Sequence, residues 1–319
     1  MLFIDSLLAA LSPFTLAMNF VGVMLGMIVG ALPGLGSVVA ITICLPFTFG
    51  MTSVSAIALR LGVYCGSSCG GSIAAVLINT PGTPQAAFDG YPMARAGKPG
   101  KAIGWALAAS IFGGVFSCVI LTFAAPQIAV FALQFGPLET CALILMGLTC
   151  ISSVSANNQF KGLAMGVLGL LLACVGMSPF SAESRFTFDI FALNSGIDLV
   201  AVIVGVFALS EVLDRVERMR REARVENGTS CRVQLPSLGE WRGRMSGLVK
   251  SSLIGTFVGI LPGTGAATAA FLSYGEARRS SPRRENIGKG EPDGIIAAES
   301  SNNAVTGGAL VPSLALGIP

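Results

Sequence analysis

Apolar residues fall in blocks near 14–32, 54–78, 103–125, 127–151, 161–180 and 197–213, with short polar links between them. Blocks of about 20 apolar residues are long enough to cross a bilayer as helices. Residues 1–13 predict a short interfacial helix ending near Pro13. Two further blocks, 37–49 and 266–274, are apolar but too short to span, and read as half-helices. Ser53 follows a turn and is a candidate N-cap for the block after it. Residues 85–102 read as a polar loop, and Pro126 reads as the link between two spans. The pattern predicts an all-α polytopic membrane protein.

Both half-helices adjoin the same phrase. Gly30, Leu32, Pro33, Gly34 and Gly36 recur as Gly259, Leu261, Pro262, Gly263 and Gly265, followed by Ala40 and Ala269; six of eleven positions agree. Gly26 pairs with Gly255 at the same offset, and the pair Gly70, Gly71 returns as Gly307, Gly308. Pro and Gly at this density cannot continue a regular helix. Helices broken at corresponding places in two repeats are a sequence pointer to a transporter's binding site. The expected organisation is a first repeat with a broken helix or hairpin at 1–102 and connecting helices at 103–213. A basic loop at 214–250 and a second, inverted repeat at 251–319 complete it. That last repeat ends mid-phrase at Pro319, so the polypeptide reads as truncated.

Composition agrees with the membrane reading. The chain is 53% hydrophobic and 12% charged, where a soluble domain averages about 25% charged. It has no His, which removes the commonest general base and metal ligand. Its eight Cys form no C-x-x-C pair and sit mostly in apolar runs, so they read as small packing residues. The N-terminus lacks the basic region of a cleaved signal.

The charges are informative by position. Lys and Arg concentrate at 85–102, 214–250 and 276–293. The positive-inside rule places all three on the cytoplasmic side, and accounts for the Arg-rich run at 214–250 without nucleic acid. Only the broken segment 248–275 lies between the second and third loops. It keeps both inside if it enters and leaves by one face, as a re-entrant hairpin. The first copy would then open to the opposite face. A Pro kink in a full span is the alternative.

A half-helix starting at Gly36 or Gly265 points its N–H groups and positive dipole end at the break, which suits a carboxylate. Carbonyls freed there suit a hard cation such as Na⁺, with Gly34 and Gly263 as its expected positions. Around Pro33, Gly34, Gly36, Pro262, Gly263, Thr264 and Gly265 stand the polar residues Ser67, Ser68, Asn79, Thr80, Pro81, Gly82, Thr83, Glu299, Asn302 and Asn303. Together these form the candidate substrate and ion site, in which Asn79 and Thr80 would meet Asn302 and Asn303. Glu299 either holds Na⁺ or a proton, or caps a helix at the surface. Arg60 either neutralises a carboxylate or snorkels to the interface.

The motifs GALPGLG at 30–36, LPFTFG at 45–50, YCG at 64–66, GGS at 70–72, NTPGTP at 79–84 and DGYPMAR at 89–95 resemble a known family. So do GILPGTG at 259–265, FLSYG at 271–275, GKG at 288–290, Glu299, Asn302, Asn303, Gly307, Gly308 and LGIP at 316–319. The family is the large membrane subunit (TctA) of tripartite tricarboxylate transporters. The resemblance implies a multi-pass subunit in a bacterial inner membrane. It also implies a periplasmic solute-binding protein that delivers the carboxylate, a small four-span membrane subunit, and a cation gradient as the driving force. No organic cofactor and no catalytic residue is expected. An anion channel, a carboxylate carrier that needs no binding protein and an intramembrane enzyme are the competing classes. The last lacks a nucleophile and base pair.

Overall fold

The computed structural model describes residues 2–32, 36–79, 84–132, 159–177, 183–197, 232–261 and 265–316, with isolated positions between them. Two units divide the chain: residues 1–134 with 223–319, and residues 135–222. The larger begins with α1 (Leu2–Ala10), α2 (Pro13–Ala31), α3 (Ser37–Cys44), α4 (Ser53–Ile78), α5 (Pro84–Arg95) and α6 (Pro99–Ala132). In the smaller, α7 (Gln159–Ala173) precedes an antiparallel pair of two-residue strands, β1 (Gly176–Met177) and β2 (Ser184–Arg185). The larger unit resumes with α8 (Leu238–Trp241), α9 (Met245–Ile260), α10 (Gly265–Ser280) and α11 (Pro292–Leu316). Among the described residues the fold is helical apart from that one short strand pair.

Several boundaries differ from the sequence expectation for local reasons. Pro13 opens α2 behind the N-cap Ser12, where its missing N–H costs nothing. Thr52, not Ser53, caps α4, accepting the Ser55 N–H. The stretch 85–102 is helical for most of its length, because Asp89 and Met93, one turn apart, both turn inward. Pro126 does not end a span: α6 runs on to Ala132. Membrane helices tolerate such a proline when neighbours satisfy the freed carbonyl. The expected blocks 127–151 and 197–213 lie mostly outside the described residues.

Large apolar side chains point outward. On α2, Phe14, Phe20, Met24 and Ile28 are exposed while Gly22, Gly26 and Gly30 are buried. Small residues inside and bulky ones outside is the arrangement of helices packed in lipid. α2 and the Pro99–Ala124 part of α6 are each long and apolar enough to cross a membrane.

The packing of α2 on α4 is set by glycine. A Cβ on Gly22, Gly26 or Gly30 would stand 2.1–2.3 Å from the carbonyl oxygens of Leu59, Val63 and Ser67. Gly62, Gly66 and Gly70 of α4 press in the same way on Asn19, Val23 and Met27. Both residue series ascend together, so α2 and α4 are parallel. In the second half, Gly255 and Gly259 of α9 meet the Ser301 and Val305 carbonyls, and Gly308 of α11 meets that of Thr256. Here too the helices are parallel. The contacts correspond residue for residue, at an offset of 229 along the first helix of each pair and 238 along the second.

Parallel neighbours decide what the breaks do. A kinked full span would leave the next helix antiparallel, so α3 must carry the chain back between α2 and α4, and α10 between α9 and α11. The side chains agree. Thr15 near the start of α2 bonds Ser55, and Thr48 just beyond α3 accepts from Arg60, so both ends of the first hairpin lie at the start of α4. Lys250 near the start of α9 reaches Ser280 at the end of α10. That end of the unit also holds α5 and the start of α6. Asp89 bonds the 288–291 backbone, Gln234 N–H donates to the Gly100 carbonyl, and Lys101 pairs with Glu240. The described parts of the three basic stretches therefore gather at one end. The first hairpin opens at the other.

Candidate ion and substrate site

The two halves meet where α4 crosses α11. Asn302 Nδ2 donates to Ser68 Oγ at 2.7 Å, and Ser72 Oγ lies 2.7 Å from Glu299 Oε1. Ascending residues on α4 meet descending ones on α11, so the two helices are antiparallel. Tyr64 stands against Thr306 in the same crossing. An offset of 238 turns Ser68 into Thr306 and Asn302 back into Tyr64, so the two contacts are related as by a local two-fold axis.

Glu299 is fully buried, with a fractional exposure of 0%. α6 completes its surroundings. Ser110 Oγ donates to Oε2 at 3.0 Å, and Asn303 Nδ2 donates both to Ser110 Oγ at 2.8 Å and to the Glu299 carbonyl at 3.0 Å. Gly113 brings the backbones close enough for this, since a Cβ there would stand 2.1 Å from the Ser300 carbonyl oxygen. No Lys or Arg pairs with Glu299 among the described residues. The alternative of a surface helix cap is therefore set aside by its burial.

The sequence-derived candidates divide into three groups. Ser68, Glu299, Asn302 and Asn303 come together, with Ser67 buried beside them and its carbonyl against Gly30. Asn79 does not join them: it is exposed and terminates α4 in the left-handed conformation, φ 53°. Among the described residues Asn302 and Asn303 pair with Ser68 and Ser110, not with Asn79. Pro33, Gly34, Thr80, Pro81, Gly82, Thr83, Pro262, Gly263 and Thr264 lie outside the described residues.

The rims of both breaks are described and match. Leu32 leaves α2 at φ −77°, ψ 118° and bonds the Val29 carbonyl; Leu261 leaves α9 at φ −81°, ψ 116° and bonds that of Val258. Gly36 caps α3 in an extended conformation, and Gly265 starts α10 at φ +70°, a value that favours glycine. A Cβ at either would meet nothing within 4 Å. Arg60 pairs with no acid among the described residues. It ties the first hairpin to α4 through Thr48 at 2.6 Å.

Ser110 was not legible as a site residue, because a single hydroxyl in an apolar span carries no positional signal. Asp89 lies in the stretch that reads as a polar loop, and its sequence gives no sign of burial. It is fully buried, and its Oδ1 accepts the N–H groups of Gly288, Gly290 and Glu291 at 2.8–2.9 Å while Tyr274 donates to Oδ2 at 2.8 Å. Asp89 thus holds the turn that precedes α11. Beside it, Arg244 lies over Trp105 and within 2.9 Å of both Glu291 and Asp293.

Among the described residues, no group of three or more acidic, Cys or His side chains could hold a metal ion. Around Glu299 each carboxylate oxygen contacts a hydroxyl, Ser72 Oγ at 2.7 Å and Ser110 Oγ at 3.0 Å.

Lipid-type packing and two broken-helix hairpins about a buried polar crossing define the class: an all-α membrane protein. The chain belongs to the tripartite tricarboxylate transporter TctA family, whose family signature matches residues 16–319. A 52.8 kDa protein from the TAR-I region of Agrobacterium vitis, encoded 3′ of ttuC′, is 38% identical over 314 residues. These cover 97% of this chain and 62% of that protein, so the chain spans under two thirds of the relative's length. A protein of the TAR-II region of the same organism is 38% identical over 65 residues, 20% of this chain and 27% of the relative. No solved structure matches.

Proposed function

We propose that the chain is the translocating part of a secondary transporter that imports tricarboxylates or related carboxylates. A cation gradient drives the import. Its two hairpins enter from opposite faces as an inverted repeat, and their breaks take the substrate carboxylate on the α3 and α10 N-termini. The observation that carries this reading is the antiparallel crossing of α4 and α11 between two residue-matched, parallel helix pairs. Inverted repeats around discontinuous helices are the architecture of alternating access. Family membership supports the remaining parts: a periplasmic solute-binding protein that delivers the substrate, a small four-span membrane subunit, and a multi-pass location in a bacterial inner membrane. The chain then acts as a carrier and not as an enzyme.

The test is uptake of labelled carboxylates into vesicles holding the complete complex, with and without the binding protein and with imposed Na⁺ or proton gradients. Uptake that requires the binding protein and follows a gradient is expected. Uptake indifferent to both overturns the reading and favours a channel.

A further inference from the structure

We propose that Glu299 binds the coupling proton. The inference rests on the carrier reading above and names the ion of that same site. Proton counting carries it. Ser110 Oγ accepts from Asn303 and spends its own proton on Glu299 Oε2. Ser72 Oγ lies 2.7 Å from Glu299 Oε1 and 3.0 Å from the Ser68 carbonyl, but has one proton for two acceptors. A carboxylate at Glu299 leaves one of these two contacts without a hydrogen. A carboxylic acid donates from Oε1 to Ser72 Oγ, Ser72 donates to the Ser68 carbonyl, and every short contact becomes a hydrogen bond. The packed state is the state with the proton bound.

The surroundings favour the neutral form. An ionised side chain inside a membrane bundle needs a partner charge or water; Glu299 has no surface exposure, and among the described residues no cation beside it. Among the described residues of α4, the titratable group that faces it is Cys69, with Ser68 and Ser72. α6 presents the Ser110 hydroxyl. α9 packs by Gly255 against Ser301, and its Lys250 turns to Ser280. Asp89 of α5 and Tyr274 of α10 reach α11 at Gly294, more than a turn before Glu299. Loss of the proton to water leaves an uncompensated anion where α4, α6 and α11 meet, which favours an arrangement that admits water. Uptake from water on the other face, onto the carboxylate, closes the crossing again.

Infrared difference spectroscopy on the complete complex reads this directly. The wild type is expected to show a protonated-carboxyl stretching band that Glu299→Gln removes, and that Ser72→Ala shifts by deleting the acceptor of the acid proton. Identical spectra for wild type and Glu299→Gln overturn the proposal. In vesicles, carboxylate entry into the wild type is expected to carry protons inward, read by an internal pH dye. Proton co-entry that persists in Glu299→Gln also overturns it. A wild-type complex that takes up no carboxylate overturns the carrier reading instead, and leaves the infrared result to judge Glu299.

Discussion

Asn302 donates to Ser68 across the crossing of α11 and α4, 234 residues apart in sequence and 2.7 Å apart in space. Hydrogen bonds between membrane helices average about 0.6 kcal/mol in double-mutant cycles and reach about 1.7. A cycle of Ser68→Ala and Asn302→Ala, read by unfolding in detergent, is expected to return a coupling in that range. A coupling of zero would mean that this hydrogen bond does not help to hold the crossing.

Gly26 and Gly114 separate close approach from open space. A Cβ on Gly26 would stand 2.2 Å from the Val63 carbonyl oxygen, whereas Gly114 has no neighbour within 4 Å. Backbone cannot yield as a side chain can. Gly26→Ala is expected to destabilise the protein by about 1–3 kcal/mol, the usual range of overpacking. Gly114→Ala, in a helix interior, is expected to be neutral or stabilising by up to about 1 kcal/mol. Thermal unfolding of the two variants side by side is the measurement.

Asp89 satisfies three backbone N–H groups at once. Asp89→Ala orphans all three, at about 1–3 kcal/mol each where they stay buried. Tyr274→Phe removes one bond to the same carboxylate and is expected to cost about 1 kcal/mol. Amide exchange at 288–291 should rise strongly in the first variant and weakly in the second. Equal effects would mean the loop is held by something other than Asp89.

Acid should loosen the segment before α9. The hydrogen bond from Lys101, helped by the Ser237 backbone N–H, lowers the Glu240 pKa from 4.5 to about 2. A depressed acid contributes its stability above its unfolded value and loses it as pH falls through the folded one. The tie of 238–241 to α6 is therefore complete above about pH 4.5 and fades toward pH 2. The protein's two Trp, Trp105 and Trp241, have ring centroids 5.9 Å apart, so intrinsic fluorescence reports this contact. Lys101→Met is expected to abolish most of the acid-induced change.

Much of this protein is legible in one dimension. The cluster of Pro and Gly at 33–36 and 262–265 cannot continue a regular helix, and α2 and α9 end just before it, at Ala31 and Ile260. The spacing of Gly22, Gly26 and Gly30 puts a smooth stripe on one helix face before any partner is known. Block length and charge placement imply lipid around the chain and one common side for the basic stretches. These are local consequences of backbone chemistry and of transfer from water to hydrocarbon, and they need no neighbour.

Partnership belongs to the tertiary structure. Whether a broken helix is a kink or a hairpin depends on the direction of the next helix, and that is set by carbonyls of Leu59, Val63 and Ser67 seated on glycine. Glu299 reads equally well as surface cap or buried acid until α4 and α6 bring Ser72 and Ser110 to its two oxygens. Asn79, as polar as Asn302, terminates a helix in the open because its backbone turns left-handed there. Which polar residue becomes part of a site is decided by the helices that pack around it, since burial, and with it the need for a partner, exists only once they have packed.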